Sequence, residues 1–230
     1  MSWRRGLVIP ALLAALVVAP LSLGQAVAAT NVPPTAVGST TPGDRGLPFS
    51  EVRFATADGI ILAGWYIPSR NRAAVVLLHG AGSTRSSVLE HAVVLARHEY
   101  GVLLFDARGH GRSGGRAMDF GWRGTLQEGL EWLTYGITDL LTAADQPIAL
   151  RDAVAVSAPR PVLLIAGGDK ADEARAGRYI QSASPATVDL WIVSGAGHTA
   201  ALGSHPGQWE ERVTAFLADA LHLDGPNGLR

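Results

Sequence analysis

Two glycine-flanked segments carry the side chains that could do chemistry. His79-Gly80-Ala81-Gly82-Ser83 follows the apolar run Val75-Val76-Leu77-Leu78, and Gly195-Ala196-Gly197-His198-Thr199 follows Leu190-Trp191-Ile192-Val193. Glycine before His198 lets a loop set an imidazole at the carboxyl edge of a sheet, where the ring can take a proton from a hydroxyl. An acyl-transfer enzyme of this pattern also needs a serine on a sharp strand-to-helix turn between the two segments. No such turn is visible there.

The elements around these loops read as alternating strands and helices. Val52 to Thr56 and Ile60 to Ile67 form a hairpin around Asp58-Gly59. Ala73 to Leu78 and Gly101 to Phe105 are short continuous apolar runs, as expected of strands buried in a parallel sheet. Between them Ser87-Val88-Leu89-Glu90 fits a capping box, and Val88, Ala92, Leu95 and Ala96 follow at helical spacing. Leu126, Leu130, Leu133, Ile137, Leu140 and Leu141 recur at three and four, which gives an amphipathic helix. Residues Ala153 to Val156 fit strand or helix. Pro161 to Ala166 and Val188 to Val193 read as strands, Ala174 to Ser182 as a helix, and Trp209, Val213, Phe216, Leu217 and Ala220 as the stripe of a closing helix. Strands alternating with helices imply an α/β fold built on a parallel sheet.

Composition limits the function classes. The 230 residues are 47% hydrophobic and 17% charged with a net charge of −1, which suits one globular domain and offers no surface for tracking phosphates. Nucleic acid is therefore not an expected partner. The chain has no cysteine, which removes a thiol nucleophile, a zinc–thiolate site and disulfides together. Neither a metal-ligand cluster nor a dinucleotide loop appears, so no cofactor is expected. Arg4-Arg5, the apolar stretch from Leu7 to Leu23 and Ala26-Val27-Ala28 read as a signal peptide over residues 1–28, with a retained membrane anchor as the alternative. The protein is accordingly expected outside the cytoplasm, secreted or anchored, and any membrane contact would come through that segment alone. Residues 29–47, with Pro33-Pro34 and Thr40-Thr41-Pro42-Gly43, read as an extended linker.

Three segments together resemble the α/β-hydrolase family: His79-Gly80-Ala81-Gly82, then Asp106-Ala107-Arg108-Gly109-His110-Gly111-Arg112-Ser113, then Gly197-His198-Thr199. Their order and context match over roughly residues 50 to 220, and the likeness is to exported esterases and peptidases with a dienelactone-hydrolase-like or serine-aminopeptidase-like core. The resemblance implies an oxyanion loop at Gly80 and Ala81, with the Ala81 amide as donor and Gly82 giving the backbone room. It implies His198 as the general base. Its acid would follow the strand at Val162 to Ile165, where Asp172 is the first choice and Asp169 the second. The expected substrate is a small ester or amide.

The family's serine sits in Gly-x-Ser-x-Gly between a strand and a helix. Gly111-Arg112-Ser113-Gly114-Gly115 matches the letters and fails on context, since no apolar strand leads directly into it and no helix directly follows. Ser83 is better suited to capping a helix, and Ser157 stands before a Pro-bounded strand. No nucleophile is identified. The strand–helix units expected around the serine look deleted, so the fold expectation is a shortened three-layer, mostly parallel sheet of about six main strands with an N-terminal β-hairpin over residues 48–223. In it, residues 116–160 would form a helical, cap-like segment, and the strand at Val75 could face the strand at Val162. Three functional readings follow: an exported serine hydrolase with impaired or absent catalysis, a non-catalytic small-ligand binder, or a shortened product of an intact hydrolase. Oligomeric state is not legible.

Overall fold

Short β-branched and leucine-rich runs, each closed by glycine or a turn, set the strands of this chain. A computed structural model of the protein describes residues 17, 19–21, 23–24, 34–80, 82–114 and 148–223. The chain divides into two compact units, Met1–Ala96 with Tyr100–Gln146, and Arg97–Glu99 with Pro147–Arg230.

In the first unit β1 (Ser50–Ala55) and β2 (Ile61–Ile67) form the expected antiparallel hairpin, with Phe54 opposite Leu62 and Ala55 opposite Ile61. Its turn closes through Thr56 N–H to Ile60 O at 2.8 Å and a hydrogen bond from the Thr56 hydroxyl to Asp58. β3 (Ala74–Leu78) runs parallel to β4 (Gly101–Phe105), as strands joined by a helical crossover do. β2 pairs with β4 antiparallel, giving the order β1-β2-β4-β3. Trp65, Ile67, Val102 and Leu104 are buried, together with Leu89, Ala92 and Leu95 of α1 (Leu89–Arg97). Each buried valine, leucine or isoleucine among them contributes about 1.5–3 kcal/mol by leaving water.

Two local expectations change here. A 3-10 turn, Arg85–Val88, precedes α1, and Ser87 lies inside it with its hydroxyl donating to Thr84 O at 2.9 Å. Glu90 is held by Arg45 at 2.6 Å. The expected capping box at Ser87 and Glu90 does not form, because each side chain has another partner. Residues read as linker are tied down: Thr35 Oγ1 donates to Gly82 O, Gly38 N–H to Ser86 Oγ, and Pro42 is buried at the start of a 3-10 turn.

In the second unit β5 (Val162–Gly167) pairs in parallel with β6 (Val188–Val193), in register from Val162 opposite Val188 to Gly167 opposite Val193. The crossover is α3 (Ala171–Gln181), preceded in the chain by α2 (Leu150–Ser157) and followed by α4 (Ala201–Ser204) and α5 (Pro206–Ala220). The ambiguous stretch Ala153 to Val156 is helical. Of the segment expected to be helical over 116–160, residues 116–147 lie outside the described residues, and with them the Leu126 to Leu141 helix. Six strands are described, in the chain order read from sequence. Their ladders include none between the strands at Val75 and Val162.

Most of the expected leader, residues 1–28, also lies outside the described residues. Among those described, no helix is long and apolar enough to cross a membrane.

Candidate functional site

β5 and β6 end side by side, and the loops leaving their carboxyl ends bring one histidine and one carboxylate together. His198 Nδ1 lies 2.5 Å from Glu173 Oε1. The other oxygen, Glu173 Oε2, accepts the Gly167 backbone N–H at 3.0 Å. Glu173 is thus bolted to the end of β5 while it orients the imidazole. A carboxylate bonded to Nδ1 fixes the proton there and leaves Nε2 with its lone pair outward, the arrangement a general base requires. The Gly167 amide, foremost, and then His198 hold the Glu173 carboxyl below its ordinary range. His198 itself is largely exposed. Among the described residues no hydroxyl is hydrogen-bonded to its Nε2.

Glycine is required where the two loops meet. A Cβ on Gly167 would lie 2.5 Å from Gly197 O and 2.8 Å from Ala196 O, so only glycine lets the histidine loop cross the end of β5. Asp169 locks the same crossing: its N–H donates to Ala196 O at 3.1 Å and its Oδ1 accepts from Gly195 N–H at 3.1 Å. It braces the backbone that carries His198 without touching the ring. Asp172 points into solvent, with its side chain 97% exposed, and pairs with Arg175 at 3.3 Å.

Neither aspartate selected from sequence is the carboxylate on His198. The reason lies in where α3 begins. It starts at Ala171, three residues before the expected start, which puts Asp172 and Glu173 in its first turn, where acidic residues suit the helix dipole. Successive residues then diverge by 100°. Glu173 shares a face with Gly177, one helical turn on, and Gly177 packs against Leu190 so closely that a Cβ there would lie 2.8 Å from Leu190 Cδ1. The signal was present in the sequence: Glu173, Ala174 and Gly177 extend the buried stripe backwards, and Asp172 falls off it.

The first unit holds the other two motifs. His79 Nε2 accepts the Ala107 N–H at 2.9 Å, and Gly82 N–H points at His110 Nε2, 3.3 Å away. Gly80 is exposed, and Ala81 lies outside the described residues. Ser83 Oγ donates to Gly80 O at 2.9 Å and lies 3.1 Å from Ser87 Oγ, while Thr84, not Ser83, precedes the 3-10 turn.

Asp106 organises the loop after β4. It is fully buried, and its two oxygens accept the Arg85 and Arg112 backbone N–H groups at 2.9 Å each. Gly111, at φ +51°, passes so near that a Cβ would strike Asp106 Oδ2 at 2.2 Å. Ser113 closes the loop: its buried hydroxyl donates to Asp106 O at 2.6 Å and accepts the Ala63 N–H at 2.9 Å. That hydroxyl links strands and is committed to backbone partners. Ser157 likewise bonds Val154 O within α2. Among the described residues no group of three or more His, Asp or Glu side chains could hold a metal ion.

Parallel strands joined by helices, with a histidine–carboxylate pair at their carboxyl ends, define an α/β protein of hydrolase architecture. The comparisons agree. The family model described as "Serine aminopeptidase, S33" matches residues 69–129. An uncharacterized protein of Mycobacterium tuberculosis is 37% identical over 87 residues, 36% of this chain and 31% of that protein. Thiohydrolase aneE of Aspergillus aculeatus is 39% identical over 69 residues, 29% of this chain and 22% of that enzyme. The matched stretch thus spans a third or less of these curated relatives. The Pyrococcus furiosus esterase Pf2001 superposes with a TM-score of 0.62 at 22% identity, covering 83% of this chain and 98% of the esterase. The α/β hydrolase GrgF from a Penicillium species gives 0.58 at 15% identity, with 76% and 99% covered. By structural likeness the chain has the α/β-hydrolase fold.

Proposed function

We propose that the chain carries the base–acid half of an esterase- or amidase-type acyl-transfer site, with His198 as general base and Glu173 as its orienting acid, and that its turnover is weak or absent. The contact that carries the reading is the 2.5 Å approach of Glu173 Oε1 to His198 Nδ1, braced by the Gly167 amide. A carboxylate in that place stabilises the imidazolium that forms when the ring takes a proton. The substrate class is a small ester or amide, in keeping with an esterase among the structural relatives and a thiohydrolase among the sequence relatives.

Impairment follows from the serine inventory. The sequence has no serine from Gly114 to Val156, the stretch in which a strand-to-helix elbow would fall between the two half-sites. Ser113 is tied up by two backbone partners. Without a covalent route, binding and polarising donors supply only a residual rate, about 10³–10⁴ over water in enzymes stripped of their triad. Export belongs to the same proposal and rests on Arg4-Arg5, the apolar stretch to Leu23 and the Ala26-Val27-Ala28 cleavage pattern.

A fluorophosphonate probe and a short-chain aryl ester test the reading on the purified full chain and on His198→Ala, Glu173→Gln, Ser83→Ala and Ser113→Ala. The expected result is no covalent labelling, with slow ester hydrolysis that falls in His198→Ala and Glu173→Gln. Labelling abolished by a single serine change would reveal a nucleophile and overturn the impairment. Hydrolysis indifferent to His198 and Glu173 would overturn the base–acid assignment. N-terminal sequencing of the protein recovered from its native host tests the leader.

A further inference from the structure

Two histidines of the first unit, His79 and His110, which the proposed chemistry does not use, are bonded crosswise. His79 belongs to the loop after β3, yet its Nε2 accepts an amide from the loop after β4, Ala107 N–H at 2.9 Å. His110 belongs to the loop after β4, yet its Nε2 faces an amide of the loop after β3, Gly82 N–H at 3.3 Å. An imidazole nitrogen that accepts an N–H bears no proton, so a neutral ring must carry its proton on Nδ1. Both Nδ1 atoms sit against carbonyls that can take that proton: His79 Nδ1 is 2.8 Å from Gly80 O, and His110 Nδ1 is 3.0 Å from Arg108 O. The rings lie 5.0 Å apart between centroids, and His110 is buried.

We propose that His79 and His110 are a reciprocal pair of positioning residues, each a neutral Nδ1–H tautomer, that pins the amide-bearing loop after β3 to the loop after β4. Each ring spans its own loop's carbonyl and the opposite loop's amide, so neither crossing is complete without the other. The proposal rests on the oxyanion-loop role that the family resemblance implies for the segment after β3. Donors aimed at developing negative charge act only when their loop is fixed before the ligand arrives. The pair also assigns the Gly82 amide an internal acceptor, which removes it from the donors free to meet a ligand. Asp106 ties the same two segments beside the pair, accepting the Arg85 amide from the turn after β3 and the Arg112 amide from the loop after β4.

Long-range proton–nitrogen NMR of the full wild-type chain at neutral pH reads the tautomers without any turnover, so the result is independent of whether the protein hydrolyses esters. Both rings are expected in the Nδ1–H form, and an Nε2–H form of either would overturn the proposal. Amide exchange then tests reciprocity. His110→Leu should speed exchange at Gly82 by about two- to thirteenfold, the effect of losing one ordinary hydrogen bond. It should also speed Ala107, whose acceptor is the other ring. His110→Gln, which returns an acceptor near the lost Nε2, should recover part of both. Unchanged exchange at Ala107 in His110→Leu would show two independent contacts and refute the pairing.

Discussion

Asp106 and Arg85 are a buried opposite-charge pair in which the two members are held very differently, and removing each should cost different amounts. The Asp106 carboxylate is fully buried and accepts two backbone amides at 2.9 Å. The Arg85 guanidinium is equally buried, stacks 4.5 Å over Trp65, and has no hydrogen bond on any of its three nitrogens. It approaches Asp106 Oδ2 only to 3.9 Å and Glu51 Oε2 to 3.5 Å, so the attraction is purely Coulombic. Burial pushes the guanidinium below its usual range, and Asp106 and then Glu51 pull it back. Asp106→Ala would orphan two amides bonded to a charged group, each bond worth about 1.5–3 kcal/mol, and leave a buried cation with a weaker partner. A loss of about 3–6 kcal/mol is expected, a large part of the 5–15 kcal/mol that holds a typical domain. Arg85→Met, by contrast, removes a desolvated charge, keeps the Trp65 face covered, and leaves the carboxylate on its two amides. Its cost should stay within about 2 kcal/mol, since the lost ring contact is worth about 0.5–2 kcal/mol and the relief of desolvation offsets it. Urea unfolding read by hydrogen exchange in residues 62–67 isolates this unit. If Arg85→Met destabilises as much as Asp106→Ala, the argument that amides rather than the guanidinium satisfy Asp106 is refuted.

Three further outcomes are expected. Glu173 is charge-stabilised in the fold, its carboxyl lying below the ordinary 4.5 chiefly through the Gly167 amide, so its contribution to stability is complete above that pH and fades as pH falls through the lowered value. Unfolding curves of the wild type and Glu173→Gln should therefore converge on acidification below about pH 4.5, and parallel curves would contradict the assignment. Gly167→Ala forces a Cβ into the Gly197 and Ala196 carbonyls and should cost about 1–3 kcal/mol by thermal melting, with a changed His198 ring signal in NMR. Ser113→Ala leaves the buried Ala63 amide without its acceptor and should cost about 1–3 kcal/mol in urea, while fluorophosphonate labelling does not change.

Much of the scaffold was legible because it rests on local signals. The Asp58-Gly59 turn, the continuous apolar strands at Ala73 and Gly101, and the Gly-Ala-Gly-His loop each depend on residues adjacent in the chain. The capping box at Ser87 was misread because one of its members finds a partner remote in sequence: Glu90 is taken by Arg45, forty-five residues away, while Ser87 turns back on Thr84. The carboxylate that contacts His198 was not legible for a related reason. Asp172 and Glu173 are neighbours in sequence, and the start of α3 at Ala171 decides which of them faces β6.

The sequence by itself determined that strands and helices alternate, that a glycine-led histidine ends one strand, and that no serine stands between Ser113 and Ser157. These follow from periodicity and residue type, which need no knowledge of what lies opposite. Tertiary structure alone decided that Glu173 holds His198, that Asp169 braces the loop beneath it, that Ser113 is a strand link, and that His79 and His110 serve each other's loops. Each of those outcomes depends on a backbone amide or carbonyl brought near by folding, and backbone groups are identical at every position of the sequence until the fold selects among them.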